Sequence, residues 1–246
     1  MSGFVIPIVA LSFVLIINQS GKVAGTKESK KQKKGQVETF KHRKLSYINE
    51  QQRQGYHAKK EAELTKNIKF SNRKEQQDYN AIYNYIYKKY KLKDKEEAKL
   101  IALYITRYSK KSGIDPKMSA ALIARESSFN RNAISKTGAK GLGQIKDFNK
   151  KDLDINNSFN IKQNVKGTVT YLSKMIQKWQ IKDKNIQTNK KGTDNKENIY
   201  MALASYYKGF TGVKKTGVDP KTKKYIEDIL RNYNEIKTYN DIKTHR

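Results

Sequence analysis

Glu126 is the residue of this 246-residue chain best placed to move a proton. It stands where an apolar stretch ending at Arg125 gives way to the polar, glycine-bearing stretch Ser127 to Ile145. Asp115 has the character of an N-cap and Pro116 that of a first helical residue, so the spacing predicts a helix that carries Met118, Ala121 and Leu122 and places Glu126 in its last turn. A carboxylate there faces the negative end of the helix dipole. If Phe129 and the incoming loop also half-bury it, both effects raise its pKa toward neutrality, where a general acid must titrate. Taken alone, such a residue reads first as a solvated helix-end Glu.

Other chemistries are poorly served. Cysteine is absent, which removes disulfides, a thiolate nucleophile and cysteine-based zinc sites. The three histidines, His42, His57 and His245, fall outside the stretch that reads as folded, against a Ser-His-Asp triad or a His-rich metal site. No metal and no cofactor are expected. Between Glu126 and Trp179 the further acids are Asp147, Asp152 and Asp154, set among lysines and expected to be exposed.

The neighbours of Glu126 change its weight. Glu126-Ser127-Ser128-Phe129-Asn130, Ala133, Ser135, Gly138-Ala139 and Gly141-Leu142-Gly143-Gln144 resemble, at these spacings, the soluble lytic transglycosylase (SLT) domain family of goose-lysozyme-like, peptidoglycan-cleaving enzymes. Asn160-Ile161 with Gly167 and Tyr171-Leu172 resembles that family's next helix, and Ala202-Leu203-Ala204-Ser205-Tyr206 with Gly209 its Ala-Tyr-Asn-Ala-Gly motif. The resemblance covers about residues 78–235. It departs at Arg131, where Pro is usual, at Lys146-Asp147-Phe148, where Met-Pro is common, and at Tyr207, where the family has Asn.

The resemblance implies a peptidoglycan lytic transglycosylase with Glu126 as the one catalytic group. In the family the N-acetyl group of muramic acid assists, and the same Glu then draws the sugar's 6-hydroxyl onto C1, leaving a 1,6-anhydro end. It further implies that Ser135 and Gln144 hydrogen-bond the sugar and that Gly141 and Gly143 let backbone approach closely. Tyr206 would hold the substrate or orient Glu126, and Tyr207 would add an aromatic surface. Ser127 reads as a loop-fixing residue and Trp179 as core before sugar platform.

The elements that must position these residues follow from periodicity. Tyr79, Ile82, Tyr83, Ile86, Tyr87 and Tyr90 predict one helix; Asp94 with Glu97 caps a second, carrying Ala98, Ile101, Ala102, Ile105 and Tyr108 and closed by Gly113. The Glu126 helix is third. Val165, Val169, Leu172, Met175, Ile176 and Trp179 predict a long fourth, residues 182–197 a polar loop, and Ile199–Tyr207 and Tyr225–Tyr233 two more. The expected fold class is mainly α, a lysozyme-like helical domain preceded by an apolar N-terminal segment and a lysine-rich linker. Its boundaries are 1–25 for a signal peptide or membrane anchor, 26–75 for the linker, disordered or partly helical, 76–236 for the catalytic domain and 237–246 for a tail.

Residues 4–17 form an uncharged apolar run, short for a span of about 20 residues and right for a signal-peptide core. A periplasmic or cell-envelope location is expected, with tethering to the cytoplasmic membrane through this run as one form of it. The formal charge is +29, from 44 Lys and 8 Arg against 23 acids. Such a field attracts polyanions. Being diffuse, it fits peptidoglycan glycan strands or an anionic membrane surface held by the linker, and it argues against specific nucleic-acid readout. The rival functions are a lysozyme-type hydrolase on the same scaffold and a non-catalytic wall-binding or assembly protein. Oligomeric state is not legible.

Overall fold

The computed structural model describes residues 63–91, 94–185 and 195–239. These form a mainly helical body with no strand among the described residues beyond two isolated backbone bridges, Ile134 with Lys140 and Lys140 with Ile145. The elements are α1 (Arg73–Asn84), α2 (Lys95–Lys111), α3 (Pro116–Ser127), α4 (Ile161–Asn185), α5 (Asn195–Lys208), α6 (Phe210–Thr216) and α7 (Pro220–Thr238), with two 3-10 turns at Asp147–Asn149 and Lys151–Leu153.

Helix α3 is the axis of the body. Every residue from Pro116 to Ala124 is buried, so the helix has no solvated face over that length and packs against α1, α2 and α7. Its start is set by the Asp115 carboxylate, which accepts from Lys117 N at 2.9 Å, with Pro116 at the first helical position. Total burial forces internal partners on its polar residues. Lys117 is ion-paired with Asp78 of α1, itself buried, and the Ser119 hydroxyl meets that of Ser109 at 2.8 Å.

Asp94 caps α2 through bonds from Glu96 N and Glu97 N at 2.9 and 3.1 Å, and Gly113 closes it with φ +67°. Glu97 does not return the bond as a capping box would; it turns to Arg131, 3.9 Å away. Helix α1 runs into a π-turn at Tyr85–Lys89, and Tyr85 is fully buried. Tyr79, Tyr83 and Tyr87 instead form a ladder with centroid spacings of 6.2 and 5.9 Å, Tyr83 and Tyr87 being only partly buried.

Three sequence expectations change. The polar segment 182–197 is helical to Asn185 and again from Asn195; Lys and Asn there tolerate a helix end as readily as a loop. The short helix α6 has no counterpart among the expected elements, because Gly209, Gly212 and Gly217 around it read as loop. Ahead of α1, Leu64, Ile68 and Phe70 pack against the core, so the packed body takes in residues before 76. The apolar run 4–17, most of the lysine-rich segment and the tail beyond 239 lie outside the described residues.

Candidate active site

Glu126 projects half-buried from the last turn of α3. The helix stops because Ser128 and Phe129 take left-handed conformations, with φ of 52° and 62°. A bulky residue rarely does this, and the cost is offset by complete burial of the Phe129 ring, edge-on to Tyr85 at 6.2 Å and Tyr90 at 5.1 Å. Phe129 therefore plugs the core behind the helix end. The carboxylate is desolvated elsewhere: the hydroxyl of buried Tyr225, on α7, donates to Glu126 Oε1, and Tyr206 on α5 lies close enough to feel its charge.

Burial raises the Glu126 pKa from 4.5 to about 7. The Tyr225 hydroxyl and the Arg125 guanidinium pull the other way without cancelling it. Burial likewise raises Tyr225 and Tyr206, with the Glu126 charge adding to both, so each stays a neutral hydrogen-bond donor. Among the described residues no second carboxylate perturbs Glu126. Asp147 and Asp154 are exposed and held by Lys140 at 2.7 Å and Lys166 at 2.9 Å, which lower both, and Asp152 is exposed too. The expectation that these three are solvated is met.

The glycine-bearing loop that follows Glu126 in the chain hangs from two helices. Asn164 of α4, 1% exposed, accepts from Gly143 N at 2.8 Å and donates through Nδ2 to Lys140 O at 3.2 Å and Ser158 O at 2.8 Å. Tyr206 donates to Gly143 O at 2.7 Å. A Cβ on Gly141 would lie 2.2 Å from Ser158 O, and one on Gly143 would lie 1.8 Å from Thr168 Oγ1. These glycines are thus required by the approach of loop to α4, and Gly141 also needs its φ of +76°.

Gln144, at φ 49°, donates through Nε2 to Gly141 O and Ala133 O at 3.0 and 3.2 Å. Ser135 Oγ accepts from Ala139 N at 2.9 Å and meets Thr137 Oγ1 at 3.2 Å. Both side chains therefore shape the loop that carries them. Tyr206 packs edge-on to Tyr171 at 5.0 Å, while Tyr207, 40% exposed, stacks on Tyr225 with centroids 4.7 Å apart and planes at 24°. Ser127 Oγ bonds back to Ile123 O at 3.3 Å. Trp179 is buried, with Nε1 bonded to Ser205 Oγ at 2.9 Å, a core residue.

Two residues of the site, Tyr225 and Asn164, are not singled out by the sequence reading. Nothing local marks Tyr225 apart from other helical aromatics, because its partner is 99 residues away. Asn164 does carry a signal: it stands in the inward stripe with Ile161, Val165 and Thr168, where a polar residue must be bonded. A cavity of about 400 Å³ lined in part by Glu75, Asp78, Lys110 and Asp115 lies at the opposite end of α3, its carboxylates already engaged by lysines, Tyr233 or the cap of α3.

Residues 103–229 match the family described as the transglycosylase SLT domain. Over 133 residues the chain is 29% identical to the membrane-bound lytic murein transglycosylase F of Desulfosudis oleivorans, covering 51% of this chain and 27% of that protein. Over 96 residues it is 31% identical to the protein of the same name from Photobacterium profundum, covering 39% and 17%. A solved structure of the lytic transglycosylase Slt of Pseudomonas aeruginosa aligns at 18% identity and a TM-score of 0.44, over 55% of this chain and 24% of that one. The match thus spans under a third of each of these relatives. The family match runs from within α2 into α7 and takes in Glu126, its loop, Tyr206 and Tyr225: the chain belongs to the transglycosylase SLT domain family.

Proposed function

We propose that this chain is a peptidoglycan lytic transglycosylase that cleaves the β-1,4 bond between N-acetylmuramic acid and N-acetylglucosamine and leaves 1,6-anhydro ends. The observation that carries this reading is a single half-buried carboxylate whose pKa is pushed up to about 7, with no carboxylate partner beside it among the described residues. A hydrolase of the two-carboxylate kind needs a second acid about 5–10 Å away to act as nucleophile or to activate water. Here the substrate supplies the nucleophile.

Glu126 first gives its proton to the glycosidic oxygen as the C1–O bond breaks, the N-acetyl carbonyl covering C1. The resulting carboxylate then takes the proton of the 6-hydroxyl as that oxygen bonds to C1. The acid is regenerated and no water is consumed. A group that must give and then take a proton works best with a pKa near the working pH. The amide oxygen of Gln144, the Ser135 hydroxyl and the backbone around Gly141 are assigned to the sugar beside the cleaved bond, with the exposed Tyr207 ring as an aromatic surface and Tyr206 as the tie between loop and α5.

The apolar run 4–17 and the description of the relatives as membrane-bound support an envelope location, with the lysine-rich segment resting on anionic surfaces. Digestion of isolated sacculi followed by mass analysis of the muropeptides tests the reading. Ends lighter by one water are expected. Reducing muramic acid ends as the main product would replace it with a lysozyme-type hydrolase.

A further inference from the structure

We propose that Tyr207 and Arg125 clamp the ring of Tyr225 so that its hydroxyl stays on Glu126, which makes both of them positioning residues for the acid–base group. Tyr225 is 3% exposed and donates to Glu126 Oε1. Its ring is covered by the Tyr207 ring, stacked at 4.7 Å, and by the Arg125 guanidinium, 5.2 Å from the centroid. Arg125 is itself fixed. Its Nε lies 3.2 Å from Asp228, which also accepts from Arg231 at 2.5 Å, so the pair ties α3 to α7 less than one turn beyond Tyr225. On the other side Lys221 stands 6.0 Å over Tyr207.

Two features separate this arrangement from ordinary core packing. Tyr207 is 40% exposed and the Arg125 side chain 41% exposed, so neither is there to fill the interior. Both lie instead over the ring whose hydroxyl bonds the acid. A phenol hydroxyl sits at the far end of its ring, so a small tilt carries it out of hydrogen-bond range, and misplacement of about 1 Å beside a reacting group can cost a hundredfold in rate. The groups that face Glu126 are Arg125 on its own helix, Tyr225 on α7 with Asp228, Arg231 and Lys224 behind it, and Tyr206 on α5. Releasing the Tyr225 hydroxyl removes a donor that favours the ionised carboxylate. Glu126 would then keep its proton to higher pH while pointing less well at the bond.

The inference rests on Glu126 being the catalytic acid, and a titration that needs no substrate keeps the two apart. The Glu126 carboxyl is followed by carbon NMR in the full chain, assigned with Glu126→Gln, in wild type, Tyr207→Ala, Tyr207→Leu, Tyr207→Phe, Tyr225→Phe and the Tyr207→Ala/Tyr225→Phe double variant. Tyr207→Ala, Tyr207→Leu and Tyr225→Phe should each raise its pKa by roughly half a pH unit, the double variant no further than Tyr225→Phe, and Tyr207→Phe should restore the wild-type titration. On soluble glycan strands Tyr207→Leu should lose about tenfold in kcat with its alkaline limb moved upward, whereas the loss of its aromatic surface for the sugar would show in KM. A pKa that stays put or falls, additive shifts in the double variant, or Tyr207→Phe behaving like Tyr207→Ala would overturn the clamp. Wild type that titrates as expected but leaves glycan intact would sink the proposed function alone.

Discussion

At Glu126 desolvation competes with two favourable neighbours and wins, and this has opposite consequences for chemistry and stability. For chemistry, the acid must be protonated, so activity should fall as pH rises through about 7. Glu126→Gln keeps the shape and removes the transferable proton; activity on sacculi should drop by at least about a hundredfold, and a smaller loss would reject Glu126 as the acid. For stability, a carboxylate with a raised folded-state pKa binds its proton more tightly when folded. Its contribution is therefore fully present below 4.5 and lost as pH climbs through about 7. Ionising it inside the fold costs on the order of 3 kcal/mol. The same Glu126→Gln variant should accordingly melt at the wild-type temperature near pH 4 and several degrees higher near pH 8, which paired thermal melts would show.

Among the elements, what could be read ahead is what is encoded locally. Asp115-Pro116 and Asp94 announce helix starts through their own backbone bonds, and both caps are where the residue types put them. What could not be read is set by groups far apart in sequence. The π-turn that brings Tyr85 and Tyr90 onto Phe129 has no periodic signature, and Tyr225 acquires its role only when α7 docks on α3. The glycines were legible as special positions but for an incomplete reason: the space beside them is taken by α4. Asn164 links these scales, holding Lys140, Gly143 and Ser158 from one side chain. Asn164→Ala should leave Gly143 N and Ser158 O unpaired, while Lys140 O keeps its bond from Ile145 N, and should cost about 3 kcal/mol in denaturant unfolding and depress activity although it does not touch Glu126. Gly143→Ala should be at least as damaging, since its methyl needs the space of the Thr168 side chain. Loss of activity without loss of stability in both would mean that these positions meet the substrate directly.

For the molecule as a whole, burial and charge govern different parts of the chain. Burial reaches back before α1: Phe70 lies 5.1 Å from Tyr79, Leu64 and Ile68 pack on the core, and Glu75 accepts from Ser71 N at 3.0 Å and Lys110 at 2.8 Å, its pKa lowered to about 2 chiefly by Lys110. A chain beginning at residue 76 would lose all of these, whereas one beginning at 63 keeps them. The shorter chain should be less stable by about 3 kcal/mol or more, visible as an earlier thermal transition. Charge acts over longer distances, and its test is salt. The net +29 is spread over lysines on the helical body as well as on the segment before it, and the surface pairs on the body, such as Lys140 with Asp147 and Lys166 with Asp154, consume only part of it. Such a field is screened over roughly 8 Å at physiological ionic strength and roughly 3 Å at 1 M. Binding to sacculi or anionic vesicles should therefore weaken steeply with added salt, and deleting residues 26–62, which carry 11 Lys and Arg against 4 acids, should reduce it more at low salt than at high. The titration of Glu126 sits inside the fold and should barely move over the same salt range, so equal sensitivity of binding and titration would show that the acid is reached by solvent and that its shielding by Tyr225 and Tyr206 is misassigned.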